Sequence, residues 1–343
     1  MSRSLDKDLL PQLKYDDPNK VFKDISTTLA DLPDDELLEI EFIGKEFPLE
    51  KGANYFRDGS TVGVPKLRLV QAFFVARQIL QRYQENSSTN SDNVVAATSV
   101  LLLMDPEHLT AANTRKRFLL STLETNRMAE PALRREKQFV DSLLTSRLHR
   151  HTKSPTLWSH RRWLLHVFAA HDVSVDLQHD IKSIVMIAGE RHPRNYTAWN
   201  HARFLLDRSP SLAEPVATDV KEYCLRHHTD ISSWSFLSYA VSNIDDGECR
   251  HKICASIIAD ILGIADSFQW TNESVWVFLR NIAATELVSQ QQFESFLAVN
   301  KKLASATPKG SDQWRTLDNA RLWCEKHRLP TSSKLADTSI DQP

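Results

Sequence analysis

A short motif recurs along this chain and constrains its fold more than any other feature. It is centred on a tryptophan inside an amphipathic segment, as in SPTLWSHRRWLL and NYTAWNHARFLL. Five copies align on one alanine and four tryptophans, which we call the anchors: Ala112, Trp158, Trp199, Trp234 and Trp276. The steps between successive anchors are 46, 41, 35 and 42 residues. A recurrence of this length is typical of a stacked array of helical hairpins.

The residue four positions before each tryptophan predicts where a helix starts. These residues are Ser154, Asn195, Asp230 and Asn272. Their short polar side chains can accept a bond from a free N–H at a helix N-terminus. Pro155 follows Ser154 at the first helical position, where its missing N–H is tolerated. The motif therefore predicts the second helix of each hairpin, and stacked hairpins can share one continuous core.

The bulk composition favours a helical protein of the cytoplasm. Only 8 of the 343 residues are glycine, which destabilises a helix interior by roughly 1 kcal/mol relative to alanine. A net charge of −2 provides no basic field for nucleic acid. The four cysteines form no CxxC pair, which suits a reducing compartment. No signal peptide is expected, and no apolar run approaches the roughly 18 residues of a transmembrane segment.

The chain is expected to have three parts. Residues 1–65 contain scattered prolines and glycines, which predict an irregular N-terminal extension. Residues 66–326 are predicted to form the hairpin array, with a first helix over Lys66–Gln84 and a terminal capping hairpin. Residues 327–343 form a polar tail, for which we expect disorder.

The side chains that follow the anchors are expected to be structural. Three or four residues after the tryptophans come arginines, which we expect to bind carboxylates or carbonyls between repeats: Arg161, Arg162, Arg203 and Arg280. The tryptophans themselves are expected to be core residues. His160 and His201, two positions after their anchors, are expected to be buried structural histidines.

No local signature of catalysis is visible in the sequence. The histidine pairs His149/His151 and His227/His228 have no cysteine or acidic partner at ligand spacing, so no metal site is expected in this chain. Neither a Walker loop nor a GxGxxG motif occurs. We therefore expect that the chain alone does not perform a reaction.

The recurring motif, a short polar residue, then W, then R-R-x-x-L, resembles the repeat of protein prenyltransferase α subunits over roughly Val94–Leu287. The resemblance implies an all-α, right-handed α–α superhelix that curls around a separate, zinc-bearing β subunit. The stretches VVAATSVLLLMDPEHL and KSPTLWSHRRWLLH are most similar to α-like subunits that pair with the β subunit of Rab geranylgeranyltransferase. That similarity implies geranylgeranyl diphosphate as co-substrate and no cofactor in this chain. It also implies a protein substrate with a C-terminal cysteine, such as a SNARE that already carries one lipid.

The resemblance also implies site residues. Lys153 matches the lysine that reaches the diphosphate of the prenyl donor in the family. Arg194 stands in place of a second lysine and could still bind diphosphate. Tyr196 matches a tyrosine at the border of the active site. Thr197 replaces a histidine of the family, which leaves that contact open.

Two further interpretations remain open. A non-catalytic helical scaffold could bind a peptide or a small GTPase, and the departures from the motif at Ala112, Thr197 and Leu237 keep this interpretation open. Within the enzyme class, the α subunit of farnesyltransferase or of type I geranylgeranyltransferase is the other alternative. Ser154-Pro155 and the arginine at position 194 argue against it.

Overall fold

A computed structural model of the chain describes residues 17–32, 36–44, 46–85, 90–125 and 129–328. Within them, the chain divides into two compact units, one that ends at His201 and one that begins at Ala202. The single array predicted over residues 66–326 stays a prediction. Apart from its first two residues, the tail predicted over 327–343 lies outside the described residues.

The N-terminal part of the first unit combines a helix with a small sheet. Helix α1 (Pro18–Ala30) is followed by strands β1 (Glu39–Ile43), β2 (Phe56–Asp58) and β3 (Thr61–Pro65). The strand order is β1-β3-β2, with β1 parallel and β2 antiparallel to β3. This differs from the irregular extension predicted for residues 1–65.

Local sequence explains why the sheet forms. Ile40 is buried between less buried neighbours, as expected of a strand with one covered face, whereas Val62, Gly63 and Val64 at the centre of β3 are all buried. Gly59 has a positive φ of 56° at the turn between β2 and β3. A Cβ atom at Gly63 would lie 2.9 Å from Ile43 Cγ2, so only glycine allows β1 to approach β3 this closely. Isolated glycines in a strand thus mark close approach as well as turns.

The remaining elements of the first unit are helices. They are α2 (Lys66–Gln84), α3 (Ser91–Met104), α4 (Leu109–Thr125), α5 (Ala129–Thr145), α6 (Pro155–Ala170), α7 (Leu177–Asp180), a π-helical segment (Ile181–Met186) and α8 (Ile187–Arg191). The bounds of α2 match the prediction from the sequence. Consecutive helices are in contact with one another, as α5 is with α6.

Helix α9 (Tyr196–Arg208) begins in the first unit and ends in the second. The second unit continues with a 3₁₀ turn (Pro210–Leu212), α10 (Ala213–Arg226), α11 (Ile231–Ser242), α12 (Gly247–Ser267), α13 (Glu273–Ala283), α14 (Gln290–Ala306) and α15 (Asp312–His327). The predicted all-α class and its helical hairpins are confirmed. No helix in the described ranges is both long and apolar enough to cross a membrane.

The anchor tryptophans make the same bond in both units. The indole nitrogens of Trp158, Trp234 and Trp276 each donate to the carbonyl oxygen of the residue six positions earlier, at 2.8–2.9 Å. All of the anchors, including Ala112 and Trp199, are buried. The predicted core role of the tryptophans is therefore confirmed, and the ring N–H groups of Trp158, Trp234 and Trp276 also fix the loop before their helices.

Three of the four predicted helix caps form. The side chains of Ser154, Asn195 and Asp230 accept bonds from backbone N–H groups two or three residues later. Asn272 makes no capping bond, which corrects the prediction. Its amide nitrogen donates instead to the carbonyl oxygen of His228 at 2.8 Å and to Ser274 Oγ at 2.9 Å, and these bonds hold the side chain away from the helix end.

Candidate functional site

The predicted site residues lie on two neighbouring loops of the first unit. One loop joins α5 to α6 and contains Lys153, directly before the cap Ser154. The other joins α8 to α9 and contains Arg194, directly before Asn195. Both basic residues therefore stand at the start of a helix. Free backbone N–H groups and the helix dipole favour anions there.

Hydrogen bonds bring the two loops together. Asn195 Nδ2 donates to the carbonyl oxygen of Thr152 at 2.7 Å. The same oxygen accepts from Trp158 Nε1 at 2.9 Å. On its other side, Lys153 is followed by Ser154, whose hydroxyl donates to the Pro106 carbonyl oxygen at 3.0 Å. The backbone on both sides of Lys153 is consequently held by side chains of other elements.

The three predicted residues differ in exposure. Lys153 is half-buried, whereas Arg194 is exposed and Tyr196 is 71% exposed. Arg194 has a φ of 60°, a left-handed conformation that is uncommon for residues other than glycine. Its carbonyl oxygen accepts from the Tyr196 N–H at 2.9 Å. This tight turn brings Arg194 and the first residue of α9 to the same loop edge.

Two histidines extend this cluster, and the sequence analysis did not assign them to it. The rings of His149 and His192 are in edge contact, with centroids 3.8 Å apart. His192 is buried, and burial followed by the charges of Lys153 and His149 lowers its pKa to about 4. The signal in the sequence was proximity along the chain, because His149 precedes Lys153 by four residues and His192 precedes Arg194 by two.

Together these side chains form what we call the cationic loop cluster: His149, Lys153, His192, Arg194 and Tyr196. It places a lysine and an arginine beside two helix N-termini, with a neutral His192 at its base. Such an arrangement can bind a multiply charged anion and stabilise negative charge that develops on it.

The third histidine of this region has a structural role. His151 is buried, and its Nε2 lies 3.0 Å from the carbonyl oxygen of Leu102 and 2.9 Å from that of Leu103. These carbonyls belong to the last turn of α3, where intrahelical partners are missing. Burial lowers the pKa of His151 to about 4, so the ring is neutral and Nε2 carries its proton.

A buried ionic network supports helix α6 beneath the loop. Arg161 is fully buried, and its guanidinium lies 2.7 Å from Asp141 and 2.6 Å from Asp180. Lys137 Nζ lies 2.8 Å from each of the same two carboxylates. Arg161 also donates to His201 Nε2 at 2.7 Å. The predicted structural role of Arg161 is thus confirmed, and Asp180 belongs to the following hairpin.

Electrostatics within this network agree with its geometry. Burial alone would raise the pKa of Asp141, but the charges of Arg161 and Lys137 and their hydrogen bonds bring it below its ordinary value. Burial and nearby cations, Arg161 first among them, hold the pKa of His201 well below its usual range. His201 therefore accepts from Arg161 as a neutral ring.

A second, smaller pair lies in the preceding hairpin. Arg115 makes two bonds to Glu136, at 2.8 and 2.6 Å, and His160 Nε2 lies 3.3 Å from the same carboxylate. Burial lowers the pKa of His160 to about 4 despite this carboxylate. His160 and His201 are both structural, as the sequence predicts. Among the described residues, no group of three or more His, Cys, Asp or Glu side chains could hold a metal ion.

Two family models match parts of the chain. The protein prenyltransferase alpha subunit repeat matches residues 133–168, and the ECM9 middle domain matches residues 157–258. The first match covers most of α5 and α6 and the loop that carries Lys153. A search of curated proteins found no match.

Solved structures also match. One of them is a chain of "Candida albicans protein geranylgeranyltransferase-I complexed with GGPP", to which this chain is 15% identical with a TM-score of 0.45. The alignment covers 76% of this chain and 78% of that chain.

Proposed function

We propose that this chain, whose residues 133–168 match the protein prenyltransferase alpha subunit repeat, is the α-type subunit of a heterodimeric protein geranylgeranyltransferase. The reaction joins a prenyl group by a thioether bond to a cysteine near the C-terminus of a protein and releases diphosphate. This chain contributes Lys153, Arg194 and Tyr196 to the site, and a β subunit completes it.

The observation that carries this proposal is the cationic loop cluster. As the prenyl carbon leaves its oxygen, negative charge develops on the diphosphate. A fixed ammonium and guanidinium near helix N-termini stabilise that charge more in the transition state than in the ground state. Lys153 is held in place by backbone bonds on both sides, so it can bind the leaving group without first being ordered.

Exposed apolar residues support a protein partner. They recur three positions before the anchors, at the first residue of the second helix of a hairpin. Leu109 is 63% exposed and Tyr196 71% exposed in the first unit, and Ile231 is 45% exposed in the second. Exposed apolar side chains are available for contact with a partner protein. We assign these positions, in each unit taken by itself, to contact with the β subunit.

The finer identity of the enzyme rests on the sequence resemblance. The partner is the β subunit of Rab geranylgeranyltransferase, which supplies zinc and the lipid pocket. The co-substrate is geranylgeranyl diphosphate, and the substrate is a SNARE that already carries one lipid. The alternative partner is the β subunit of farnesyltransferase or of type I geranylgeranyltransferase.

Co-expression with each β subunit, followed by size-exclusion chromatography, tests the pairing. We expect a 1:1 complex with the Rab geranylgeranyltransferase β subunit and lipid transfer only when both chains, zinc and geranylgeranyl diphosphate are present. If the chain elutes alone with every β subunit, the proposed function is wrong. A folded chain without a β partner would favour the scaffold alternative.

Within the complex, Lys153→Ala tests the site. We expect kcat to fall about 10- to 1000-fold with assembly unchanged, because one stabilising group of the leaving diphosphate is lost. Lys153→Arg should recover part of the rate. Lys252→Ala is the matched control, since Lys252 is an exposed lysine of the second unit that pairs with Glu248 at 2.6 Å. Equal rates for Lys153→Ala and Lys252→Ala would remove Lys153 from the site.

A further inference from the structure

The carbonyl oxygen of Thr152 accepts two side-chain hydrogen bonds. It accepts from two side chains that belong to two successive hairpins, Trp158 Nε1 at 2.9 Å and Asn195 Nδ2 at 2.7 Å. Both donors are buried, and so is Thr152. We call this arrangement the carbonyl clamp. The next residue in the chain is Lys153.

The backbone after Lys153 is fixed as firmly as the backbone before it. The N–H of Ser154 donates to the His151 carbonyl oxygen at 3.0 Å. Its hydroxyl donates to Pro106 and accepts from the Leu157 N–H at 3.1 Å. Lys153 is thus the single half-buried residue between two buried, bonded neighbours. A flexible lysine side chain reaches a reproducible place only when its Cα is fixed in this way.

From this geometry we infer that Asn195 and Trp158 are positioning residues for the diphosphate site, because their clamp on the Thr152 carbonyl sets where Lys153 lies. Asn195 has a second consequence for the site. It lies between Arg194 and Tyr196, so its bond to Thr152 also ties the second loop to the first. This inference rests on the proposed function, since it assigns a role toward the same anion.

The second unit contains the same clamp without the lysine. The carbonyl oxygen of His228 accepts from Trp234 Nε1 at 2.9 Å and from Asn272 Nδ2 at 2.8 Å. The residue that follows is Thr229, which carries no charge. The clamp is therefore a feature of the scaffold, and only its copy in the first unit precedes a cationic side chain. Matched substitutions in the two clamps can therefore distinguish an effect on the position of Lys153 from a general effect on stability.

The test uses inorganic diphosphate as the probe and the full chain alone. Reductive methylation of lysines, followed by mass spectrometry, reports how strongly diphosphate protects Lys153. The variants are Asn195→Ser and the control Asn272→Ser. At position 195 serine is neutral and retains a cap acceptor. At either position it is too short to reach the clamped carbonyl. Circular dichroism checks that each variant is folded.

We expect diphosphate to protect Lys153 in the unaltered chain and in Asn272→Ser. In Asn195→Ser, half-protection should need about 10- to 100-fold more diphosphate, because a displaced ammonium no longer meets the anion. Equal protection in all three proteins overturns the inference. So does an equal loss in both variants, which would indicate a general effect on stability.

Failure of the proposed function gives a different result. If diphosphate does not protect Lys153 even in the unaltered chain, the anion site itself is wrong. If Asn195→Ser does not fold, Trp158→Phe and its control Trp234→Phe take its place, since each removes the other donor of one clamp. In the active heterodimer, Asn195→Ser should lower kcat while leaving the affinity for the β subunit unchanged.

Discussion

The two units fill the same core position with different side chains, charged in the first unit and apolar in the second. Three residues after the anchor, the first unit has Arg115 and Arg161, while the second has Leu237 and Leu279. All four side chains are buried, and Arg161 is as inaccessible as either leucine. The position is therefore a core position in both units, whatever residue occupies it.

What differs is the set of neighbours that each choice requires. Arg115 needs Glu136, and Arg161 needs two carboxylates that Lys137 also contacts. A leucine needs only apolar contact. Buried ion pairs add little net stability over apolar packing, but breaking one leaves an uncompensated charge. The first unit should accordingly tolerate single substitutions less well than the second.

The loops before the helices also differ between the two units, with charged residues in the first unit and aromatic residues in the second. In the first unit the loop residues include Lys153 and Arg194. In the second, Phe268 is 71% exposed, and the rings of His228 and Trp270 are stacked with centroids 4.5 Å apart. One scaffold thus presents a cationic edge in one unit and an aromatic edge in the other. This difference is why we place the anion chemistry in the first unit.

The largest predicted effect tests the ionic core. Arg161→Met should lower the free energy of unfolding by about 3–5 kcal/mol, because Asp141 and Asp180 remain buried with only Lys137 between them. Leu237→Met, the control in the second unit, should cost less than about 1.5 kcal/mol. Denaturant unfolding, with hydrogen exchange to assign each loss to its unit, measures both.

Neutralising Asp141 and Asp180 tests whether their unpaired charges cause the loss of stability in Arg161→Met. Adding Asp141→Asn and Asp180→Asn to Arg161→Met should recover part of the lost stability, since the charges no longer need a partner. If Arg161→Met and Leu237→Met cost the same, the ionic network does not distinguish the two units.

A smaller effect follows from the buried histidines of the first unit. His151 and His160 have pKa values of about 4 when folded, against 6.5 ordinarily. The unfolded chain therefore binds protons as the pH falls below 6.5, whereas the folded chain does not until about pH 4, and stability falls across that window. Each histidine contributes at most about 1.4 kcal/mol per pH unit.

Between pH 6.5 and 5.5 the loss from these two histidines should be about 2 kcal/mol, and His192 and His201, whose pKa values are also lowered, add to it in the first unit. Hydrogen exchange, corrected for intrinsic rates, should show α6 losing protection while α13 of the second unit changes less. The carboxylates Glu136 and Asp141 do not interfere, because their pKa values are lowered and their loss comes at more acidic pH. Equal changes in α6 and α13 would contradict this assignment.

The regular part of the fold was predictable from the sequence because its signals are local. The tryptophan spacing located the second helices, and the polar residues four positions earlier located three of four caps. Helix α2 was predicted with its observed bounds. A helix start depends on the few residues around it, so it can be read from one sequence.

Features that depend on distant partners were not predictable. The π-helical segment Ile181–Met186 follows Asp180, which binds Arg161 of the preceding hairpin. The pairing of β1 with β3 needs a glycine at position 63 to admit Ile43. His192 belongs to the cationic loop cluster only because its loop lies against His149. Each of these three features depends on a contact between segments that are far apart in the sequence.

The smallest predicted effect tests how far the two clamps are equivalent. In Trp158→Phe the Thr152 carbonyl keeps one donor, from Asn195. In Trp234→Phe the His228 carbonyl keeps two, from Asn272 and from Ser274 Oγ at 2.8 Å. A lost hydrogen bond costs about 0.5–1.5 kcal/mol, and more when its partner is left poorly satisfied.

Trp158→Phe should therefore cost a few tenths of a kcal/mol more than Trp234→Phe, although both remove the same atoms. Paired denaturation curves with unchanged slopes measure this difference directly. A larger loss in Trp234→Phe would mean that ring packing, and not the clamped carbonyl, governs the stability of the anchor. The hydrogen bonds to the clamped carbonyl would then add no more to the stability of the first unit than to that of the second. The connection between the clamp and Lys153 would rest only on their adjacency in the chain.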